Sequence, residues 1–116
     1  MKSVEELDVF KLSHEMTLAI YRATKVFPEE ERYNLVSQMR RAAYSVPMNL
    51  AEGANRLNRK EFRQYVGVAK GSCAEVKYQL VLSKDLGYLN SNTFEELYGN
   101  YERISQMLTK LAKSLE

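Results

Sequence analysis

The sequence predicts an all-α fold, an antiparallel up-down-up-down four-helix bundle. Three observations carry this. Apolar residues recur every three or four positions along four successive stretches. No stretch shows the alternation of a strand, and no repeat or low-complexity segment intervenes. The 116 residues include only 5 Gly and 2 Pro, so the connections between helices are short. A chain of this length reads as one domain, 1–116, with one modest core.

Helix 1 is expected over about 7–26. Val9, Leu12, Met16, Ala19, Ala23 and Val26 step by three and four. Phe27-Pro28 ends it, because the residue before a proline is pushed out of the helical region. Helix 2 is expected over about 32–54, with Glu29, Glu30 and Glu31 placed favourably at its positive end. Leu35, Met39, Ala42, Val46 and Leu50 form one stripe. Val36, Ala43, Ala51 and Ala54 widen it, and Gly53 helps to stop the helix.

Helix 3 is expected over about 59–86. Asn58 and Glu61 stand at capping-box spacing, with Asn58 as N-cap. Phe62, Val66, Ala69, Cys73, Val76 and Leu80 make a heptad seam, and Leu86-Gly87 supplies the left-handed stop. Helix 4 is expected over about 93–114, with Asn92 and Glu95 again at capping-box spacing. Phe94, Leu97, Tyr101, Ile104, Leu108, Leu111 and Leu115 follow at strict 3-4 spacing. Helices of 20 to 28 residues are about 30–42 Å long, which suits a bundle.

Composition narrows the class. Hydrophobic residues are 45% and charged residues 28% of the chain, as in ordinary globular proteins. The lone Cys73 cannot form an internal disulfide, which suits a reducing cytoplasm. The segment MKSVEELDVF has early acids and no apolar core region, so no signal peptide is visible. No apolar run approaches the ~18 residues needed to cross a membrane.

Catalytic and metal chemistry find little support. The one histidine, His14, lacks the second histidine that a zinc protease helix would place at Leu18. One His and one Cys make no zinc set, and no Glu-x-x-His pair exists for a di-iron bundle. No cofactor is implied. Glu52 and Glu75 lie within otherwise apolar helix stretches. They read either as a carboxylate pair for acid-base work or as structural partners of Arg40, Arg41 or a helix end. Gly67-Val68-Ala69-Lys70-Gly71-Ser72 has the wrong spacing for a phosphate loop. Its two glycines, four apart on a helix, imply close packing within the bundle or between subunits. In RRAAYSVPMNLAEGANR, Pro47 removes the hydrogen bond to the Ala43 carbonyl and should bend helix 2.

Charge is more informative. From Arg40 to Lys84 nine Lys/Arg stand against three acids, so the middle of the chain carries +6 while the remainder carries −4. Arg63, Lys70, Lys77 and Lys84 are spaced by seven and fall on one line of helix 3, beside its apolar seam. Arg56, Arg59 and Lys60 cluster before it. Two readings stand: a solvated flank whose stems cover apolar neighbours, or a stripe that contacts nucleic-acid phosphates. Tyr21, Tyr33, Tyr44, Tyr65 and Tyr78 offer stacking surfaces, or core and interface contacts. Helix 2 is apolar over a wider arc than one bundle stripe needs, which points to self-association.

The run Asn34-Leu35-Val36-Ser37-Gln38-Met39-Arg40-Arg41-Ala42-Ala43-Tyr44-Ser45-Val46-Pro47-Met48-Asn49-Leu50-Ala51-Glu52-Gly53 resembles the signature of the 23S ribosomal RNA intervening-sequence protein family. Gly71-Ser72-Cys73-Ala74-Glu75, Leu86-Gly87-Tyr88-Leu89, Ile20-Tyr21 and Phe27-Pro28 continue the likeness over nearly the whole chain. The resemblance implies a non-enzymatic four-helix bundle in a ring-shaped homo-oligomer, a pentamer in characterised relatives. Related proteins serve as accessory variability determinants of retroelements, where they bind a reverse transcriptase and nucleic acid. The expected partners are therefore further copies of the chain, RNA or DNA, and a reverse transcriptase or similar protein held by the ring. The expected phosphate contacts are Arg56, Arg59, Lys60, Arg63, Lys70, Lys77 and Lys84. Arg40, Arg41, Pro47, Glu52, Gly53, Gly67, Gly71 and Glu75 are expected to serve packing and assembly.

Overall fold

A computed structural model describes residues 3–116. Four helices follow one another: α1 Asp8–Thr24, α2 Leu35–Ala54, α3 Arg59–Asp85 and α4 Ser91–Ser114. Short 3-10 turns occur at Val4–Glu6 and Glu29–Glu31, and no strand occurs among the described residues. Successive helices pack antiparallel, and α1 closes on α4. The long dimension is 43 Å, close to the roughly 40 Å that the 27 residues of α3 span.

Local chemistry explains the helix ends. Asn58 accepts a hydrogen bond from the Glu61 amide at 2.9 Å and starts α3. At the far end Gly87 takes a φ of +83°, the left-handed conformation that a side chain resists. The Tyr88 amide then reaches the Ser83 carbonyl and the Gly87 amide reaches Lys84, closing the helix with a Schellman motif. Two starts differ from the sequence expectation. α4 begins two residues early because Asn90, not Asn92, accepts the Thr93 amide at 2.8 Å. Glu29, Glu30 and Glu31 form their own turn, so no acid stands in the first turn of α2.

The apolar stripes of α2, α3 and α4 form the core, with Met39, Val46, Leu50, Cys73, Leu80, Tyr101, Ile104 and Leu108 almost wholly enclosed. Helix α1 differs from its expected pattern. It ends at Thr24, and Val26 is 82% exposed. Its buried line runs through Val9, Ser13, Met16, Thr17, Ile20 and Thr24. Three hydroxyls therefore lie inside, and each bonds a carbonyl one turn back: Ser13 to Phe10 at 3.1 Å, Thr17 to Ser13 at 2.8 Å, Thr24 to Ile20 at 2.8 Å. Such back-bonding removes the desolvation cost that bare hydroxyls would carry.

Pro47 is buried inside α2, which runs through it from Leu35 to Ala54. It lacks the amide that would bond the Ala43 carbonyl. The Thr17 hydroxyl of α1 supplies the missing donor, at 3.2 Å. One proton is thus shared between the Ser13 and Ala43 carbonyls.

Candidate nucleic-acid interface and assembly face

The loop between α2 and α3 and the first turn of α3 place Arg56, Arg59 and Lys60 together at one end of the bundle, all exposed. Arg56 pairs with Glu52 at 3.0 Å, donates to the Tyr65 hydroxyl and lies over the Tyr65 ring at 4.9 Å. Arg59 donates to the Ser114 carbonyl in the last turn of α4. Lys60 has no ion pair among the described residues. Between them Leu57 is 99% exposed, an apolar side chain alone in a polar loop. Sequence reasoning passed over Leu57; its signal was isolation, since it belongs to no helical stripe.

The seven-spaced line on α3 turns toward α4. Arg63 donates to the Ala112 carbonyl at 3.2 Å and to Glu116 at 3.1 Å. Lys77 lies 3.9 Å from Glu102 and 5.3 Å from the Tyr98 ring centroid. Lys84 sits 4.3 Å from the Phe94 ring centroid. Lys70 alone on this line is exposed with no ion pair among the described residues. Three of the four bases thus border the α3–α4 seam, and two arginines satisfy carbonyls at the negative end of α4.

The residues expected to serve packing separate into distinct roles. Arg40 is half-buried. Its Nε donates to Thr24 at 3.0 Å, a terminal nitrogen donates to the Tyr21 carbonyl at 3.2 Å, and its plane lies over the Tyr21 ring at 4.6 Å. Arg41 is exposed and lines a cavity of about 280 Å³ with Tyr44, Met48, Ser72 and Glu75. Glu52 and Glu75 are both exposed, on helix flanks rather than in apolar surroundings. Glu52 meets Arg56, not Arg40 or Arg41, because it lies one turn before Arg56 on the same flank. The two carboxylates line different cavities, so they form no pair for acid-base work.

The glycines also divide. Gly53 lies inside α2, one residue before its end, and is buried. A Cβ there would fall 2.6 Å from Tyr65 Cβ and 2.9 Å from Phe62 Cδ1. Its role is close approach to α3 rather than helix termination. Gly67 and Gly71 face open space, so the bundle itself makes no use of their small size. They share the outer side of the molecule with exposed Met48, Val68 and Tyr78, while Ser45 and Ser72 join α2 to α3 beneath at 2.8 Å.

Reactive groups are few. No cluster of three His, Cys, Asp or Glu suited to a metal exists among the described residues. His14 is exposed on α1, its ring stacked 6.4 Å from that of Phe10. Burial pushes the Cys73 thiol from its usual value near 9 up to about 12 and raises the neighbouring Tyr101 phenol. No described helix is long and apolar enough to cross a membrane.

The pattern that defines the 23S rRNA-intervening sequence protein family matches residues 5–110. The chain belongs to that family. No curated protein matches the sequence. Among solved structures, a similar fold occurs in a protein of unknown function from the S23 ribosomal protein family of Bacteroides thetaiotaomicron VPI-5482. The two share 21% sequence identity with a TM-score of 0.83, over 90% of this chain and 95% of the other. At that identity the likeness concerns the fold. The family assignment rests on the match over residues 5–110, a span that includes both the Pro47 region and the basic loop.

Proposed function

We propose that this member of the 23S rRNA-intervening sequence protein family is a non-enzymatic bundle that binds RNA or DNA phosphates. Its contacts are Arg56, Arg59 and Lys60 at the bundle end, with Lys70 roughly 15 Å further along α3. The observation that carries this reading is the exposed cluster itself: three bases within five residues, with Lys60 free of any ion pair among the described residues and Arg56 and Arg59 each using one terminal nitrogen within the fold. Arg63, Lys77 and Lys84 contribute charge at longer range, since α4 already holds them. The family's name ties relatives to ribosomal RNA intervening sequences, which makes RNA the first polyanion to test.

The cleanest variants are Lys60→Glu and Lys70→Glu, because neither side chain supports the fold through an ion pair. Association with a single-stranded RNA, followed by fluorescence anisotropy across a salt series, should weaken steeply with added salt. Each removed contact should reduce the slope of log affinity against log salt by roughly 0.7. No binding at low salt, or a slope unchanged by both reversals, would sink the reading.

A second reading concerns assembly, and a separate observation favours it. Gly67 and Gly71 are open to solvent beside half-exposed Met48 and Val68 and the more exposed Tyr78. Two glycines in one helix weaken it by about 1 kcal/mol each, a cost that close packing of a second copy offsets. On this reading the outer side of α2 and α3 joins copies of the chain, head-to-tail contacts closing a ring.

A further inference from the structure

Beside the basic loop lies a cavity of about 320 Å³, between the α2–α3 connection and the last turn of α4. Ala54, Leu57, Phe62 and Leu115 give it apolar walls, and Arg56 and Arg59 stand at its rim. Its volume falls within the roughly 300–1,000 Å³ of small-molecule sites. The bond from Arg59 to the Ser114 carbonyl ties the loop to α4 and fixes the mouth. Leu57 is almost fully exposed there, an arrangement that water disfavours and that contact with a flat apolar surface would relieve.

We propose that this cavity receives one unpaired nucleobase of a single strand, whose flanking phosphates lie on Arg56, Arg59 and Lys60. The inference rests on the phosphate-binding reading and adds the base to it. A base offers two apolar faces and a polar edge, and the adjoining backbone places negative charge within a few ångströms of the ring. The cavity offers the same pair of chemistries: aliphatic and aromatic carbon in its walls, guanidinium groups at its rim. Guanidinium planes also stack on bases, so the rim serves both parts of the ligand. A paired base keeps its faces within the duplex stack and cannot enter. The site therefore selects single strands, loops and frayed ends over continuous duplex.

The test uses the full chain and three ligands of equal length: a single-stranded oligodeoxynucleotide, the same strand with abasic positions throughout its centre, and the matching duplex. Stacking of one base is worth about 5- to 150-fold in affinity. The parent strand should bind at least fivefold more tightly than the abasic strand or the duplex at the same salt. Leu57→Ser should erase most of that preference. With its side chain already in solvent, this variant should fold as the parent does, which circular dichroism would verify. Equal affinity for parent and abasic strands, or a preference untouched by Leu57→Ser, overturns the base site while leaving phosphate binding intact. Absence of binding to all three ligands overturns both.

Discussion

The seam between α1 and α2 and the seam between α3 and α4 are built from opposite materials. Between α3 and α4 the centre is apolar but for one group: Val66, Cys73, Val76, Leu80, Tyr101, Ile104 and Leu108 fill it, and the enclosed Tyr101 hydroxyl has no hydrogen-bond partner among the described residues. Polar groups border it, where Arg63 meets Glu116 and Lys77 meets Glu102, both partly in solvent. Such exposed pairs contribute little, about 0–1 kcal/mol each. Between α1 and α2 polar groups reach inward, from the half-buried Arg40 to the buried Thr17 and Thr24. Thr17 reaches the Ala43 carbonyl, and Arg40 reaches Thr24 and the Tyr21 carbonyl. One seam holds by area and the other adds specific donors to specific acceptors. That difference sets how each should fail.

The largest effect should come at alkaline pH, from the α3–α4 seam. The unfolded Cys73 thiol loses its proton near pH 9, while the folded thiol holds it to about 12. Below pH 9 both states are protonated and the group adds no pH dependence. Between 9 and 12 only the unfolded state releases the proton, so stability falls as pH rises, by on the order of 4 kcal/mol at the upper limit. Tyr101, also raised by burial, deepens the fall above pH 10. Urea unfolding at pH 8, 10 and 11 should show a steep decline in the parent and a shallower one in Cys73→Ala. Parallel declines would mean that the thiol titrates normally in the fold. The hydroxyls of the α1–α2 seam do not titrate in this range and add nothing to the slope.

That seam should instead respond to loss of a single donor. Thr17→Val keeps the shape and leaves the buried Ala43 carbonyl without a partner, at a cost of about 1–3 kcal/mol. Pro47→Ala restores a backbone amide one turn above that carbonyl. If Thr17 acts by substituting for the amide, Thr17→Val should cost much less in the Pro47→Ala background. A double-mutant cycle by chemical denaturation measures this coupling. Equal costs in both backgrounds would show that Thr17 stabilises α1 alone.

These contrasts explain how far the sequence could be read. The α3 and α4 seams were legible because their buried residues, Gln79 and Ser83 apart, are apolar and keep the 3-4 period. The α3 ends were legible because Asn58 and Gly87 act locally. Helix α1 was legible in part: Val9 and Met16 are buried and Leu12, Ala19 and Ala23 pack against the core, but an apolar count passes over Ser13, Thr17 and Thr24, whose hydroxyls bury themselves by bonding their own helix. The α4 start was displaced because Asn92 and Glu95 stand at capping-box spacing, while sequence does not show that the Asn90 side chain faces the Thr93 amide. The basic residues were visible as a pattern. Their division into bases that meet α4 (Arg59, Arg63, Lys77 and Lys84) and bases left in solvent (Lys60 and Lys70) was not, since it depends on where α4 comes to rest. Leu57 and its cavity were hidden for the same reason.

The seam between α2 and α3 offers the finest comparison, because one pair of helices contains both kinds of glycine. Gly53 touches α3 so closely that a methyl group would displace the Tyr65 backbone side of the ring or the helix itself. Gly67 and Gly71 have nothing within 4 Å of that position. Alanine should therefore destabilise at Gly53. At each of the other two sites it should stabilise the isolated chain by about 1 kcal/mol through helix propensity. If the outer side of α3 joins copies, the same two alanines hold the neighbouring backbone away. Sedimentation at micromolar concentration should then show smaller species, while thermal unfolding of dilute protein shifts upward. The opposed signs are the useful part of the result. A general loss of structure lowers both stability and assembly, whereas a glycine kept for a partner raises one as it lowers the other. A parent that sediments as a monomer, or alanine variants that assemble as the parent does, would remove the interface from this face.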